Sequence, residues 1–204
     1  MSTETNIASA YGARAVEYLA VAGDLAQMDD RDIATIRAWR DGTTGPLLDA
    51  GCGPGHWTAF LAEDGRDVVG VDLSGEFIAS ARGRHPGIRF EVGSFRGLGV
   101  DDSSLGGILA WYSLIHTPPA EIPLVLAEFA RVLRPGSTLL LGFFDGEPRA
   151  PFAHAVTTAY FWSADALGGL LTDAGFEVEG SEHRDRTPQE VSARAHGAIR
   201  ARRR

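Results

Sequence analysis

Apolar residues along this chain form two kinds of run, and from residue 47 onward the two alternate. Short continuous stretches, among them Val68-Val69-Gly70-Val71 and Ser137-Thr138-Leu139-Leu140-Leu141-Gly142-Phe143-Phe144, leave no polar face and predict strands buried on both sides of a parallel sheet. Stripes at helical spacing lie between them. The clearest joins Ile122, Val125, Leu126, Phe129, Val132 and Leu133; Thr117 is its expected cap, with Pro118 in the first turn, and Arg134-Pro135-Gly136 closes it. The same reading gives a first strand at residues 47–50, a helix over 76–84, strands over 88–92 and 108–112, and a helix carrying Leu167, Leu170, Leu171 and Ala174 that stops at Gly175. A sixth strand runs over 176–183. Upstream, Tyr11, Ala15, Tyr18 and Leu19 share one helical face, and Ile33, Ile36 and Trp39 share another before the turn from Gly42 to Gly45. In residues 191–199 the odd positions are small or apolar and the even ones mostly polar, which predicts a final antiparallel strand.

Composition narrows what such an α/β chain does. With 204 residues it reads as one domain, and 44% hydrophobic and 23% charged content is that of an ordinary soluble protein. A formal charge of −8 argues against a nucleic-acid surface, which needs a basic face. Arg200, Arg202, Arg203 and Arg204 at the C-terminus are the exception: a frayed solvated tail, assigned to 201–204, is one reading and a weak anion contact the other. The single cysteine, Cys52, has no intrachain disulfide partner, and no His, Cys, Asp or Glu cluster has metal-ligand spacing. The first residues lack the pattern of a signal peptide, and no apolar run is long enough to span a bilayer, so the expected location is the cytoplasm, without a membrane partner.

The chemistry concentrates at Leu47-Leu48-Asp49-Ala50-Gly51-Cys52-Gly53-Pro54-Gly55. A strand breaks here into a glycine loop that lets the backbone approach a ligand closely, and the helix from His56 aims its N-terminal amides at the same place. Such a turn binds a nucleoside-containing cofactor. A dinucleotide fingerprint wants its third glycine at the position His56 occupies, so the fit to a pyrophosphate is poor. Asp49 points the same way, because a carboxylate there can balance an amino group or order the loop but repels phosphate. Asp72 ends the next strand about twenty residues on, where an acidic side chain can accept from both ribose hydroxyls.

The spacing Asp49-x-Gly51-x-Gly53-x-Gly55 resembles motif I of the class I S-adenosylmethionine-dependent methyltransferases, and the likeness extends over about residues 7–200. It implies a Rossmann-like, doubly wound seven-stranded sheet, six strands parallel and the last antiparallel, with helices on both faces. Residues 46–200 then form the core sheet, and about 1–42 form N-terminal helices that contribute to a substrate lid. By the same resemblance Asp49, Gly51, Gly53 and Gly55 wrap the cofactor, Asp72 holds its ribose, and Leu73 packs on the adenine. The backbone around Trp111 and Tyr112 lines the methionine side, and Tyr11 lies over the cofactor from the N-terminal helix, with hydrophobic anchoring of that helix as the alternative. Where the family often has Gly-Asp-Ala after strand three, this chain has Gly93-Ser94-Phe95; Ser94 can still accept from the adenine amine, with a weaker bond than a carboxylate, and a backbone amide is the alternative contact.

Methyl transfer from a sulfonium to a small-molecule acceptor, O or N before C, with S-adenosylhomocysteine as product, asks the protein mainly to position a nucleophile and exclude water. The acceptor chamber is expected from the loop after strand four, the loop over 145–162 and the N-terminal helix. His116 is the general-base candidate, with a structural loop histidine as the alternative. His154, Tyr160 and Trp162 are placed at the substrate, although the aromatics of that loop can equally pack the lid shut. A homodimer is compatible with this reading. The alternatives are a nicotinamide-dependent oxidoreductase and a non-catalytic cofactor-binding protein of the same fold.

Overall fold

The computed structural model describes residues 3–14, 17, 19, 23–185 and 194–204; Ala15, Tyr18 and residues 191–193 of the expected last strand lie outside them. Helix α1 (Thr3–Ala13) and helix α2 (Asp30–Asp41) precede the sheet. Asp29 caps α2 by accepting from the Arg31 amide, and Asp30 and Asp32 sit in its first turn, where the helix dipole favours acids.

There follow β1 (Leu47–Ala50), α3 (His56–Leu61), β2 (Val68–Asp72), α4 (Gly75–Arg84), β3 (Arg89–Val92) and β4 (Leu105–Trp111). The chain continues through α5 (Ile122–Val132), β5 (Leu133–Phe144), a hairpin of β6 (Pro151–Ala153) and β7 (Thr158–Tyr160), and α6 (Ala164–Asp173). It ends with β8 (Phe176–Arg184) and β9 (His196–Arg203). The main sheet has the order β3-β2-β1-β4-β5-β9-β8, and β9 runs antiparallel to both its neighbours, so the other six strands are parallel. Strand order reverses between β1 and β4, and an open α/β sheet binds its ligands in the crevice beyond the carboxyl ends at that switch point.

Period-two alternation explains why the central strands are apolar throughout. Leu139 and Leu141 of β5 face the α5 and α6 side, packing with Leu126, Phe129 and Leu171, while Leu140 between them joins Ile36, Trp39, Trp57 and Phe60 on the opposite face.

Three expectations need correction. Thr117 does not cap α5: Pro119 holds Pro118 extended (φ −53, ψ 137), so a 3₁₀ turn over Pro119–Glu121 intervenes and the α-helix starts at Ile122. The expected basic tail is instead part of β9. Arg200 and Arg202 pair with Glu179 on β8, and Arg203 donates to the Ala130 carbonyl at 3.0 Å, so the arginines are the solvent and rim face of a paired strand. Lastly, the loop over 145–162 contains the β6–β7 hairpin, whose three-residue strands are too short to show a period.

Candidate active site

A cavity of about 600 Å³ opens at the carboxyl ends of β1, β2 and β4, roofed by α1. At one end is the glycine loop. Gly51 has φ +79, and a Cβ there would stand 2.3 Å from that of Ser113, so only glycine lets the loop pass the end of β4. Gly53 has φ +52 with nothing within 4 Å of a built Cβ, which leaves its backbone open to the cavity. Gly55 stands just before α3 and does not line the cavity.

Asp72 ties this end together. One carboxylate oxygen accepts from the Gly53 amide at 2.9 Å and the other from the Ser74 amide at 2.8 Å, and the residue lines the cavity. Burial raises its pKa, and the backbone amides of Ser74, Gly53 and Leu73 oppose the rise. Asp49 lies below the loop, outside the cavity lining: it is 2% exposed and accepts from the Thr58 hydroxyl at 2.7 Å, which ties the end of β1 to α3. Burial, with the Asp72 charge nearby, pushes its pKa up to about 7.

Leu73, Trp111 and Tyr112 all line the cavity, and Tyr112 is held at φ +56, an unusual conformation for a non-glycine residue. Ser94 does not line it. Its hydroxyl is bonded to the Glu4 carboxylate and accepts from the Arg96 amide at 3.0 Å, while Phe95 and Arg96 take its place at the wall.

Several wall atoms await a partner. Both ring nitrogens of His56, the Trp111 indole N–H and the Ser113 hydroxyl are buried without a hydrogen bond among the described residues, and all three residues border the cavity. Polar groups in that state call for a polar ligand. Burial pushes His56 down to about 4, so it is neutral at physiological pH. Sequence reasoning treated His56 only as a misfit to a glycine pattern; a polar residue opening a helix beside the loop was the available signal.

At the other end stands His116. It is 5% exposed, lies in the loop after β4, and contacts α1 and the hairpin at once: Nε2 is 2.9 Å from the Tyr11 hydroxyl and Nδ1 is 2.8 Å from the Thr158 carbonyl. Burial lowers its pKa, partly offset by the Thr158 carbonyl. His154 also lines the cavity, with its ring 5.0 Å from that of His116, and burial pushes it down to about 4. Two expected substrate residues are elsewhere. Trp162 is 2% exposed and belongs to the main core, and Tyr160 does not border the cavity; its amide donates to the Ile115 carbonyl at 2.9 Å and fixes the hairpin. Among the described residues no helix is long and apolar enough to cross a membrane, and no group of three His, Cys, Asp or Glu could hold a metal ion.

Residues 47–136, the segment containing the glycine loop, Asp72 and His116, match the family model of the methyltransferase domain. The demethylmenaquinone methyltransferase of Beutenbergia cavernae is 35% identical over 124 residues, covering 57% of this chain and 51% of that protein. The chain spans about half the length of the first curated relatives it matches. In shape, an S-adenosylmethionine-dependent methyltransferase of Methanosarcina mazei superposes with a TM-score of 0.70 at 25% identity, over 78% of this chain and 92% of that one. The [4+2]-cyclase SpnF superposes with a TM-score of 0.83 at 19% identity, over 100% and 97%.

Proposed function

We propose that the chain is a class I S-adenosylmethionine-dependent methyltransferase that moves a methyl group to an oxygen or nitrogen of a small-molecule acceptor. The cyclase of the same fold makes clear that architecture alone does not fix activity. The observation that carries the reading is the pairing, in one cavity, of the Gly53–Asp72 end with a neutral histidine at the other.

The residues fit the cofactor. Gly53 leaves room for close approach, Asp72 stands at the cavity with its carboxylate aimed by two amides, and His56, Trp111 and Ser113 offer unsatisfied polar atoms. In our reading Gly51 and Gly53 shape the cradle, Asp72 holds the ribose, Leu73 packs on the adenine, and Trp111 and Tyr112 face the methionine side. Asp49 and Gly55 support the loop from below. The cofactor, when bound, supplies an activated methyl group on a sulfonium sulfur.

His116 is the general base. Its lowered pKa keeps it unprotonated at neutral pH, and its bond to Thr158 fixes the tautomer. Calorimetry with S-adenosylmethionine, S-adenosylhomocysteine and NAD tests the reading: binding of the first two without NAD is expected, and NAD binding without the others refutes it.

A further inference from the structure

The hydrogen bonds at the acceptor end have a direction set by their last member. The Thr158 carbonyl can only accept, so His116 donates to it from Nδ1. A neutral imidazole then offers only a lone pair at Nε2, and the Tyr11 hydroxyl, 2.9 Å away, is the donor to it. The base is therefore covered by a phenol.

The surrounding wall is made of uncharged rings. Tyr112 and Phe144 lie 4.9 Å apart, Phe144 and His154 6.1 Å, and Tyr11 is 5.6 Å from Phe77; all five line the cavity. His154 is kept neutral by burial, with His116, Arg194 and Arg14 adding to the effect. Those two arginines are engaged elsewhere: Arg14 on Glu17 and the Ala155 carbonyl, Arg194 over the Phe152 ring at 4.3 Å and on the Ala153 carbonyl. Of the bordering carboxylates, Glu4, Asp29 and Asp32 pair with Arg96, Arg31 and Arg184, Asp72 is taken up by the Gly53 and Ser74 amides, and Asp30 is exposed to solvent at the start of α2. Such a wall stacks on a flat neutral ring, whereas a charged acceptor would lose its water there.

We propose that Tyr11 is a catalytic residue, taking the proton of the acceptor while passing its own to His116, and that the acceptor is a small aromatic hydroxyl compound of the phenol class. This rests on the methyltransferase reading above. In the step, the acceptor O–H breaks toward the Tyr11 oxygen as the Tyr11 proton moves to Nε2. The acceptor oxygen bonds to the methyl carbon, whose bond to sulfur breaks with its pair left on sulfur. The products are a methyl ether, a neutral thioether, an unchanged Tyr11 and an imidazolium, which later releases its proton to water. The exchange runs between two oxygens of the same chemical kind, the acceptor phenol and the Tyr11 phenol.

The test compares the parent with Tyr11→Phe on phenol and on 4-nitrophenol at about pH 8, where the nitro compound is largely ionised and needs no base while phenol does. Loss on phenol of roughly 10²-fold or more is expected, with a deficit about tenfold smaller on 4-nitrophenol. Both phenols are assayed at saturating S-adenosylmethionine, so any change in cofactor affinity cancels from the comparison. The His116 ring, followed by nitrogen NMR in the product complex, should titrate at higher pH in the variant, because a donor to its neutral form has gone. His116→Gln, which can still accept from Tyr11 but takes no proton, should show the same split between phenols and covers the case of a misfolded Tyr11→Phe. Equal losses on both phenols, an unmoved His116 titration, or no methylation of either phenol by a parent that binds S-adenosylhomocysteine overturns the proposal. A parent that does not bind that product instead sinks the broader reading.

Discussion

The two ends of the cavity are built from different kinds of contact. At the glycine-loop end, Asp49, Gly53, Thr58, Asp72 and Ser74 belong to one stretch of chain, and the bonds joining them span nine and nineteen residues or fewer. At the acceptor end, Tyr11, His116 and Thr158 are separated by 105 and 42 residues and meet only where α1 and the β6–β7 hairpin dock on the loop after β4. One end is preformed by backbone amides and glycine conformations; the other exists only when distant elements close on it. Binding and chemistry should therefore respond to different substitutions.

The strongest way to break that separation is His116→Ala. Turnover should fall by about 10² to 10⁴, and the affinity for S-adenosylhomocysteine should stay as in the parent. A fully active variant would remove the base, and parallel loss of both properties would make His116 a loop-ordering residue. The pH profile sharpens the point: activity should decline only below the ordinary imidazole value of 6.5, because burial lowers the His116 pKa.

Asp49 tests the other end through stability. Its carboxyl binds a proton more tightly when folded, at about 7 against an ordinary 3.8, so its contribution to stability is intact at low pH and is lost as pH rises through that interval. The cost at about pH 8 is at most about 4 kcal/mol. Asn at this position does not titrate. The melting temperature of Asp49→Asn relative to the parent should thus rise from about pH 5 to about pH 8, and a constant difference would contradict the buried, protonated carboxyl.

Trp162→Phe carries the smallest expected effect. Its indole N–H has no hydrogen bond among the described residues and the ring is core, so stability should fall by about 1 to 2 kcal/mol through the cavity the smaller ring leaves, with KM for the acceptor unchanged. A raised KM would return Trp162 to the substrate wall.

This contrast also explains what could be read from sequence. The glycine loop and Asp72 were legible because their geometry is set by neighbours in the chain, and β4 and β5 because unbroken apolar runs have few other fates. His116 was legible as a titratable residue near a helix start, but not its bond to Tyr11, since nothing local records a contact across 105 residues. Aromatic residues between 152 and 162 carry no mark of which side they face: Phe152 packs at the acceptor end and Trp162 in the core. Ser94 was misplaced at the adenine because its hydroxyl is taken up by Glu4, a residue of α1.

Asp72 bears most directly on the claim that the glycine-loop end is a preformed nucleoside site. Titration calorimetry with S-adenosylhomocysteine should show binding to the parent, and Asp72→Ala should bind about 1.5 to 3 kcal/mol more weakly while remaining folded, the cost of losing hydrogen bonds to a charged group. Equal affinity in parent and variant, or no binding by the parent, would contradict it.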